Sequence, residues 1–193
     1  MKKAIDVSNF WLPGPVSDDE ALRLMQEAKR QGYSRVIAGT QIPSVCFQQL
    51  QAAYRAGQEI QAYLQLNPTQ DLHTQVLEAD RAVDTLPISR LWVTVEWRGP
   101  EYLLAVLTSA LADCRRTSFP YLGIYTNMSN WARHMSDTAI FRSYPLWWAG
   151  YGNSALDAHE WRGAGFGGWW RPSMKQWLQN VDVVGMNCDQ NVY

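Results

Sequence analysis

Arg90-Leu91-Trp92-Val93-Thr94-Val95-Glu96-Trp97 is the stretch whose alternation decides the fold. Side chains along a strand point to opposite faces in turn. One face of this run carries Leu91, Val93 and Val95, and the other carries Trp92, Thr94 and Glu96. An apolar face under helices and a mixed face turned inward mark a strand of a β/α barrel. Glu96 then ends the strand on the inward face, where barrel enzymes place their chemistry.

The same reading extends outward along the chain. Lys3–Val7, Ser34–Thr40, Glu59–Leu66, Tyr121–Thr126 and Pro145–Tyr151 read as further strands. Between them the apolar spacing predicts helices over Asp18–Gln31, Ser44–Ala56, Asp71–Val83 and Pro100–Arg116, with a short one near Ser129–Met135. Ser17 with Glu20 three residues on forms a capping box, Gly32 closes the first helix, and Pro100 suits a first helical position. Alternation of this kind predicts a parallel sheet with helices outside it. Past residue 151 the helical spacing fades, and Gln176–Leu178 and Asn187–Tyr193 read as two short terminal strands. The expected fold is α/β: an irregular, TIM-barrel-like β/α barrel over residues 1–193, a single domain of about eight strands and five helices.

Strand parity also turns Asp6 inward, since Ile5 and Val7 take the helix-facing side. In the third strand Tyr63, Gln65 and Asn67 share a face. An aspartate, a glutamate and aromatics therefore converge on one barrel mouth.

Composition narrows the function classes. The 193 residues carry 17 Lys and Arg against 18 Asp and Glu, a net charge of −1 that excludes nucleic-acid binding driven by bulk positive charge. A hydrophobic share of 47% with 18% charged residues excludes disorder, and no apolar run approaches the ~18 residues of a membrane span. Ten Trp, nine Tyr and five Phe supply core, and suit a groove that stacks on sugar rings. Cys46, Cys114 and Cys188 have neither zinc nor redox spacing and read as buried free thiols. Met1-Lys2-Lys3 runs straight into the first strand, so no signal peptide is expected and synthesis in a cytoplasm is.

Other motifs carry less. Gly163-x-Gly165-x-x-Gly168 matches a dinucleotide fingerprint, but Trp169, Trp170 and Pro172 follow in place of a helix, so an aromatic loop at the groove is expected. His159-Glu160 is half of a zinc motif without its second histidine, and His73 and His134 stand alone. No metal and no cofactor is expected. Of the adjacent Trp147 and Trp148, opposite parity assigns one to the core and one to the groove.

Ile5-Asp6-Val7-Ser8, Ala62-Tyr63, Thr94-Val95-Glu96, Gly123-Ile124-Tyr125-Thr126 with Asn130-Trp131, Leu146-Trp147-Trp148-Ala149-Gly150-Tyr151, Trp177-Leu178-Gln179 and Cys188-Asp189-Gln190-Asn191-Val192-Tyr193 follow one another in an order that resembles the glycoside hydrolase family 25 lysozymes, the Chalaropsis-type muramidases. The resemblance runs along the whole chain. It implies an eight-stranded barrel with about five helices. It also implies cleavage, with retention, of the β-1,4 bond from N-acetylmuramic acid to N-acetylglucosamine in peptidoglycan. By resemblance Glu96 is the general acid/base, and Asp6 and Asp189 shape the electrostatics of the centre. Tyr63, Tyr125, Trp147 and Tyr151 are glycan contacts by resemblance and strand position, with barrel-interior packing as the alternative.

One departure matters. The family has Asp-x-Glu where this chain has Thr94-Val95-Glu96. Glycosidases place two carboxylates about the transition state. For a 2-acetamido sugar the acetamide oxygen can attack, and the second carboxylate then polarises its N–H. Thr94 accepts that hydrogen bond only weakly, which costs the barrier about 3–6 kcal/mol, or two to four decades in rate. Either Asp6 or Asp189 supplies the missing charge, or the barrel binds glycan with altered specificity or without turnover, for instance in a phage particle. The expected partner is a peptidoglycan strand, the expected state a monomer, and a phage endolysin acting on the cell wall after release fits the absent leader.

Overall fold

Eight strands close into a barrel in chain order: β1 (Lys3–Val7), β2 (Tyr33–Gly39), β3 (Glu59–Gln65), β4 (Leu91–Thr94), β5 (Leu122–Thr126), β6 (Leu146–Ala149), β7 (Met174–Val183) and β8 (Met186–Val192). This is a computed structural model, and it describes residues 1–8, 15–97, 103–152, 161 and 165–193. Five helices accompany the strands among the described residues: α1 (Asp18–Arg30), α2 (Pro43–Arg55), α3 (Leu72–Arg81), α4 (Leu104–Cys114) and α5 (Met128–Met135). Strands β1 to β7 pair in parallel, each with the next. Strand β8 runs against both of its neighbours, β7 and β1.

That reversal is the part of the topology that alternation did not foretell. A two-residue turn, Val184-Gly185, joins β7 to β8, with φ of 54° and 87°. Two positive φ values are what a tight hairpin matching the strand twist requires. Strand β7 is also far longer than the expected Gln176–Leu178. It shifts register between Gln176 and Leu178 and again between Leu178 and Val181. Such bulges bend a strand, and they recur beside active sites.

Period-two alternation splits the interior into two cores. Ile5, Val7, Val36, Ala38, Leu91, Val93, Val95, Ile124 and Leu146 face the helices. Ala4, Ile37, Trp92, Tyr125, Trp147, Ala149 and Met174 fill the barrel. Trp147 sits at the centre of that filling, meeting Trp92, Tyr125 and Tyr63 edge-on at centroid distances of 5.7, 4.4 and 6.4 Å. Trp148 turns outward to the helix-side core, as opposite parity required.

Helix ends follow the sequence signals in part. The Ser17 hydroxyl accepts from the Glu20 amide, while the Glu20 carboxylate is held by Arg23. Helix α4 begins at Leu104, and Pro100 lies outside the described residues. The three cysteines are buried free thiols.

The stretch after β6 departs from expectation. Trp161, Phe166 and Trp169 are buried in the helix-side core rather than lining a groove. Trp161 packs on Trp148 at 5.1 Å, and Trp169 on Trp131 at 4.7 Å. Their apolar area replaces helix packing against the outer face of β6. Trp170 alone of these points into solvent, 89% exposed. His159, Glu160 and Gly163 lie outside the described residues.

Inside the barrel the space for Trp92 is made by a missing side chain. Trp92 pairs in register with Gly123, and a Cβ there would lie 2.4 Å from the indole. The ring has no slack, because its Nε1 donates to Gln61 Oε1 at 2.7 Å. Gly123→Ala is expected to cost about 1–3 kcal/mol by overpacking, lowering Tm by roughly 2–4 °C per kcal/mol in a chain of this size. Thermal unfolding followed by circular dichroism checks this; an unchanged Tm would show that the Trp92 layer yields.

Candidate active site

Strand parity carries three carboxylates to the C-terminal mouth of the barrel. Asp6 is the last inward residue of β1, and Asp189 stands directly opposite it on β8. Because β8 is reversed, its beginning, and so Asp189, lies at the same mouth where β1 ends. Glu96 follows β4 by two residues. The strand is shorter than the expected Arg90–Trp97, yet the alternation persists because the backbone beyond it is still held. The Val95 amide donates to Tyr125 O at 2.8 Å, and Thr126 Oγ1 donates to Val95 O at 2.9 Å. On the other side of Glu96, buried His134 of α5 hydrogen-bonds the Trp97 carbonyl at 2.8 Å. Glu96 is thus clamped from both flanks.

Asp6, Tyr63, Thr94, Glu96, Tyr125, Trp147 and Asp189 line a single cavity of about 150 Å³. Seven of the eight residues singled out in the sequence are therefore brought together. The eighth, Tyr151, stands at the rim: it is half exposed, and its hydroxyl donates to Gln176 Oε1 at 3.2 Å and accepts from Gln179 Nε2 at 2.6 Å. Trp147 and Tyr125 are almost wholly buried and form the floor. Thr94 is 5% exposed, and its Oγ1 has no hydrogen-bond partner among the described residues.

Sequence reasoning placed Gln65 on the face of Tyr63 without giving it a role, and assigned none to Gln176, Gln179 or Asn191. The first three line the cavity, and Asn191 lies beneath it. The resemblance drew attention to Trp177-Leu178-Gln179, whereas the inward amide of β7 below the bulge is Gln176. Its Nε2 lies 3.1 and 3.2 Å from the two Asp6 oxygens and 2.9 Å from Asp189 Oδ2. Its Oε1 accepts from Tyr125 at 2.8 Å as well as from Tyr151. Asn191 Nδ2 donates to Asp6 Oδ1 at 2.7 Å, and Asn191 Oδ1 accepts from Trp147 Nε1 at 2.7 Å. Parity with Asp189 on β8 was the available signal for Asn191.

Burial sets the electrostatics. Desolvation, then the charge of Asp189, pushes Asp6 from the ordinary 3.8 up to about 8, against the donors Asn191 and Gln176. Desolvation also raises Asp189, while the Asn180 amide, at 2.8 Å from its Oδ1, stabilises its charge. Asn180 owes that orientation to its positive φ of 54° in the β7 bulge. Glu96 is raised by burial and then by Asp189, with a hydrogen bond from Tyr125 acting the other way. Trp92 lies a layer below, and Trp97 turns to a neighbouring hollow.

That hollow, about 330 Å³, shares Gln65 with the carboxylate cavity and has Asn67, Gln70 and Trp97 in its lining. Gln41 Nε2 donates to Gln65 Oε1 at 3.1 Å where the two meet. The two hollows therefore adjoin at Gln65, one lined by three carboxylates and the other by amides, apolar side chains and Glu78.

Comparison with known proteins agrees with this architecture. The family model described as lysozyme-like protein 1 matches residues 4–177. "Probable GH family 25 lysozyme 5" of Dictyostelium discoideum is 29% identical over 109 residues, which make up 53% of this chain and 49% of that protein. The chain thus spans about half the length of that relative. The solved CTP1L endolysin superposes with a TM-score of 0.75 at 19% identity, over 100% of this chain and 66% of that one. GHIP, a glycosyl hydrolase 25 of Streptococcus pneumoniae, gives 0.70 at 16% identity, over 99% of this chain and 86% of that one. At those identities the two structures establish the barrel alone. The family match, running from β1 into β7, shows that this chain belongs to the lysozyme-like family, and relatives described as probable GH family 25 lysozymes are among its matches.

Proposed function

We propose that this barrel is a peptidoglycan hydrolase that cleaves the β-1,4 bond from N-acetylmuramic acid to N-acetylglucosamine, with Glu96 as general acid/base. The observation that carries the reading is the convergence of Glu96, Asp6 and Asp189 on one aromatic-floored cavity, with all three held toward their protonated forms. A general acid must keep its proton near the working pH, and burial gives Glu96 that property.

The roles then divide by environment. Asp6, the most deeply buried, stays neutral at pH 7. Asp189 takes the Asn180 amide and one N–H of Gln176, so it carries the negative charge. Glu96 gives its proton to the glycosidic oxygen as the bond to C1 breaks. The 2-acetamido oxygen closes on C1 from the opposite face, and the Asp189 charge steadies the cation that forms. Water then attacks C1 as the bond from the acetamide oxygen to C1 breaks and restores the acetamide, and the water gives its proton to the Glu96 carboxylate, with net retention. Thr94 Oγ1, buried and without a partner among the described residues, accepts the acetamide N–H. The amide-lined hollow beyond Gln65 accommodates the continuing strand, and the bacterial cell wall is the place of action. One observation favours a second reading, a barrel that binds glycan without turnover: Thr94 stands where a carboxylate would complete the charge.

Release of reducing ends from purified peptidoglycan separates the two. The wild type is expected to release them, and Glu96→Gln to lose about 10²–10⁴-fold of the rate. Wall binding by both without release would establish the binding barrel, and Thr94→Asp would then be expected to restore turnover.

The pH–rate profile should be a bell. Its acid limb marks protonation of Asp189 and its alkaline limb loss of the Glu96 proton. Both groups are raised, so both limbs should lie above those of ordinary carboxylates. An alkaline limb at an unperturbed glutamate's position would remove Glu96 as the acid.

Stability should run the other way. Between the ordinary 3.8 and about 8, folded Asp6 holds a proton that the unfolded chain has lost. Its contribution is therefore complete below about pH 4 and is lost as the pH rises through about 8. Asp6→Asn is expected to flatten that slope and to gain roughly 1–3 kcal/mol at pH 7, while lowering turnover. Urea unfolding at pH 5 and pH 8 reads both; an unchanged slope would place the uptake on another group.

A further inference from the structure

We propose that the hollow beside the carboxylate cavity binds the peptide stem of the substrate, and that Glu78 recognises a free amino group on that stem. The choice of ligand rests on the hydrolase reading above. The hollow measures about 330 Å³, against about 150 Å³ for the cavity that holds Glu96. The two adjoin at Gln65, which pairs in register with Thr94 on the next strand. Cleavage after N-acetylmuramic acid sets a muramic residue against Glu96. That sugar bears a peptide on its lactyl ether, so a peptide branches off beside the cavity. Of the continuing strand, this stem is the part that the hollow suits.

The hollow is built before any ligand arrives. One wall is the turn after β3, residues 67–70, which Gln75 of α3 ties down with both ends of its amide. Gln75 Oε1 accepts from the Asn67 backbone amide at 2.8 Å, and its Nε2 donates to the Asn67 carbonyl at 2.9 Å. Asn67 Oδ1 accepts from the Thr69 amide at 3.1 Å and from its hydroxyl at 2.8 Å. Gln65 Oε1 accepts from Gln41. The side-chain oxygens of Asn67 and Gln65 are thus in use, while Asn67 Nδ2 and Gln65 Nε2 have no hydrogen-bond partner among the described residues. They are donors for peptide carbonyls. Glu78, one turn on from Gln75, is the sole charged residue in the described lining. Its carboxylate has no hydrogen bond or ion pair among the described residues. Leu66 and the partly buried Trp97 add apolar wall.

A stem peptide matches these groups one for one. Its backbone is a run of neutral amides. Its diamino residue has methylenes that lie along apolar wall and an ammonium that meets a lone carboxylate. Further glycan has no cation to offer Glu78, because its amines are acetylated. Charge therefore selects the peptide over another sugar.

Two probes test this: N-acetylmuramyl-L-alanyl-D-isoglutaminyl-L-lysinamide, and the same compound acetylated at the lysine amine. Proton–nitrogen NMR of the whole chain shows where each probe sits, without any turnover. The amine probe is expected to shift the amides of Asn67, Gln70 and Glu78, and to bind about two- to fivefold more tightly than the acetylated one, the range of an exposed ion pair. Glu78 is exposed on α3, so its replacement leaves the core intact. In Glu78→Gln the preference should vanish, and in Glu78→Lys it should reverse. Equal affinity of the two probes for the wild type overturns the proposal. So does a preference that survives in Glu78→Gln, which would put the ammonium on Asp6, Glu96 or Asp189 instead. Shifts at the hollow with chitotetraose but not with the amine probe would make it a sugar subsite, and overturn the proposal equally. The hydrolase reading fails separately. Peptidoglycan left uncleaved, with the amine probe seated at Glu78, sinks that reading and leaves the peptide site standing; cleavage with no probe at the hollow does the reverse.

Discussion

Asp6 and Asp189 occupy directly opposed positions on adjacent antiparallel strands, both turned into a barrel that excludes most water. Like charges so placed cannot both ionise cheaply, and desolvation penalises even one. Much of the neighbourhood is arranged around that repulsion. Asn191 and Gln176 point N–H groups at the pair, and the bulge in β7 turns the Asn180 amide toward Asp189. The reversed β8 is the topological condition for it. Only by running backward does β8 bring its first residues to the mouth where β1 ends.

The same constraint separates stability from chemistry along each strand. Helix-facing residues of β1 and β4 are aliphatic and buried without polar atoms. The alternate positions hold aromatic rings at depth and acids at the mouth. Trp147 links the two layers, since its ring packs on Trp92 and Tyr125 while its Nε1 holds Asn191, which in turn holds Asp6. A change in the barrel filling should therefore be felt by the carboxylates one layer above. Neutral amides and hydroxyls, rather than ion pairs, transmit it.

Much of this was legible in the sequence, because the deciding signal is a period of two. Alternation in residues 91–97 and in Lys3–Val7 placed Glu96 and Asp6 on the inward face. The βα order gave the barrel, and resemblance added Asp189. The network was not legible. Gln176 lies one step before a bulge, so counting parity through Trp177-Leu178-Gln179 loses register there. The reversal of β8 depends on a Val184-Gly185 turn whose first residue is β-branched, a poor advertisement for positive φ. The tryptophans after residue 160 misled for a different reason. Composition says that aromatics bury area, but not against which face, and the outer side of β6 claimed Trp161, Phe166 and Trp169.

Thr94 takes on a different meaning in this setting. The cavity is lined by three carboxylates, three glutamines and aromatic residues, with no lysine or arginine among its described lining. Among the described residues, protons and N–H donors are what ease its charge. A fourth carboxylate at position 94 would raise the others further, and would have to be neutralised by another proton or by the cation of the transition state. A threonine avoids that cost, and its hydroxyl has no hydrogen-bond partner among the described residues. The arrangement trades affinity for developing positive charge against a smaller burden of buried negative charge. On the proposed reading, the charge of Asp189 and the amide that holds it in place are then the quantities on which the chemistry of this mouth turns.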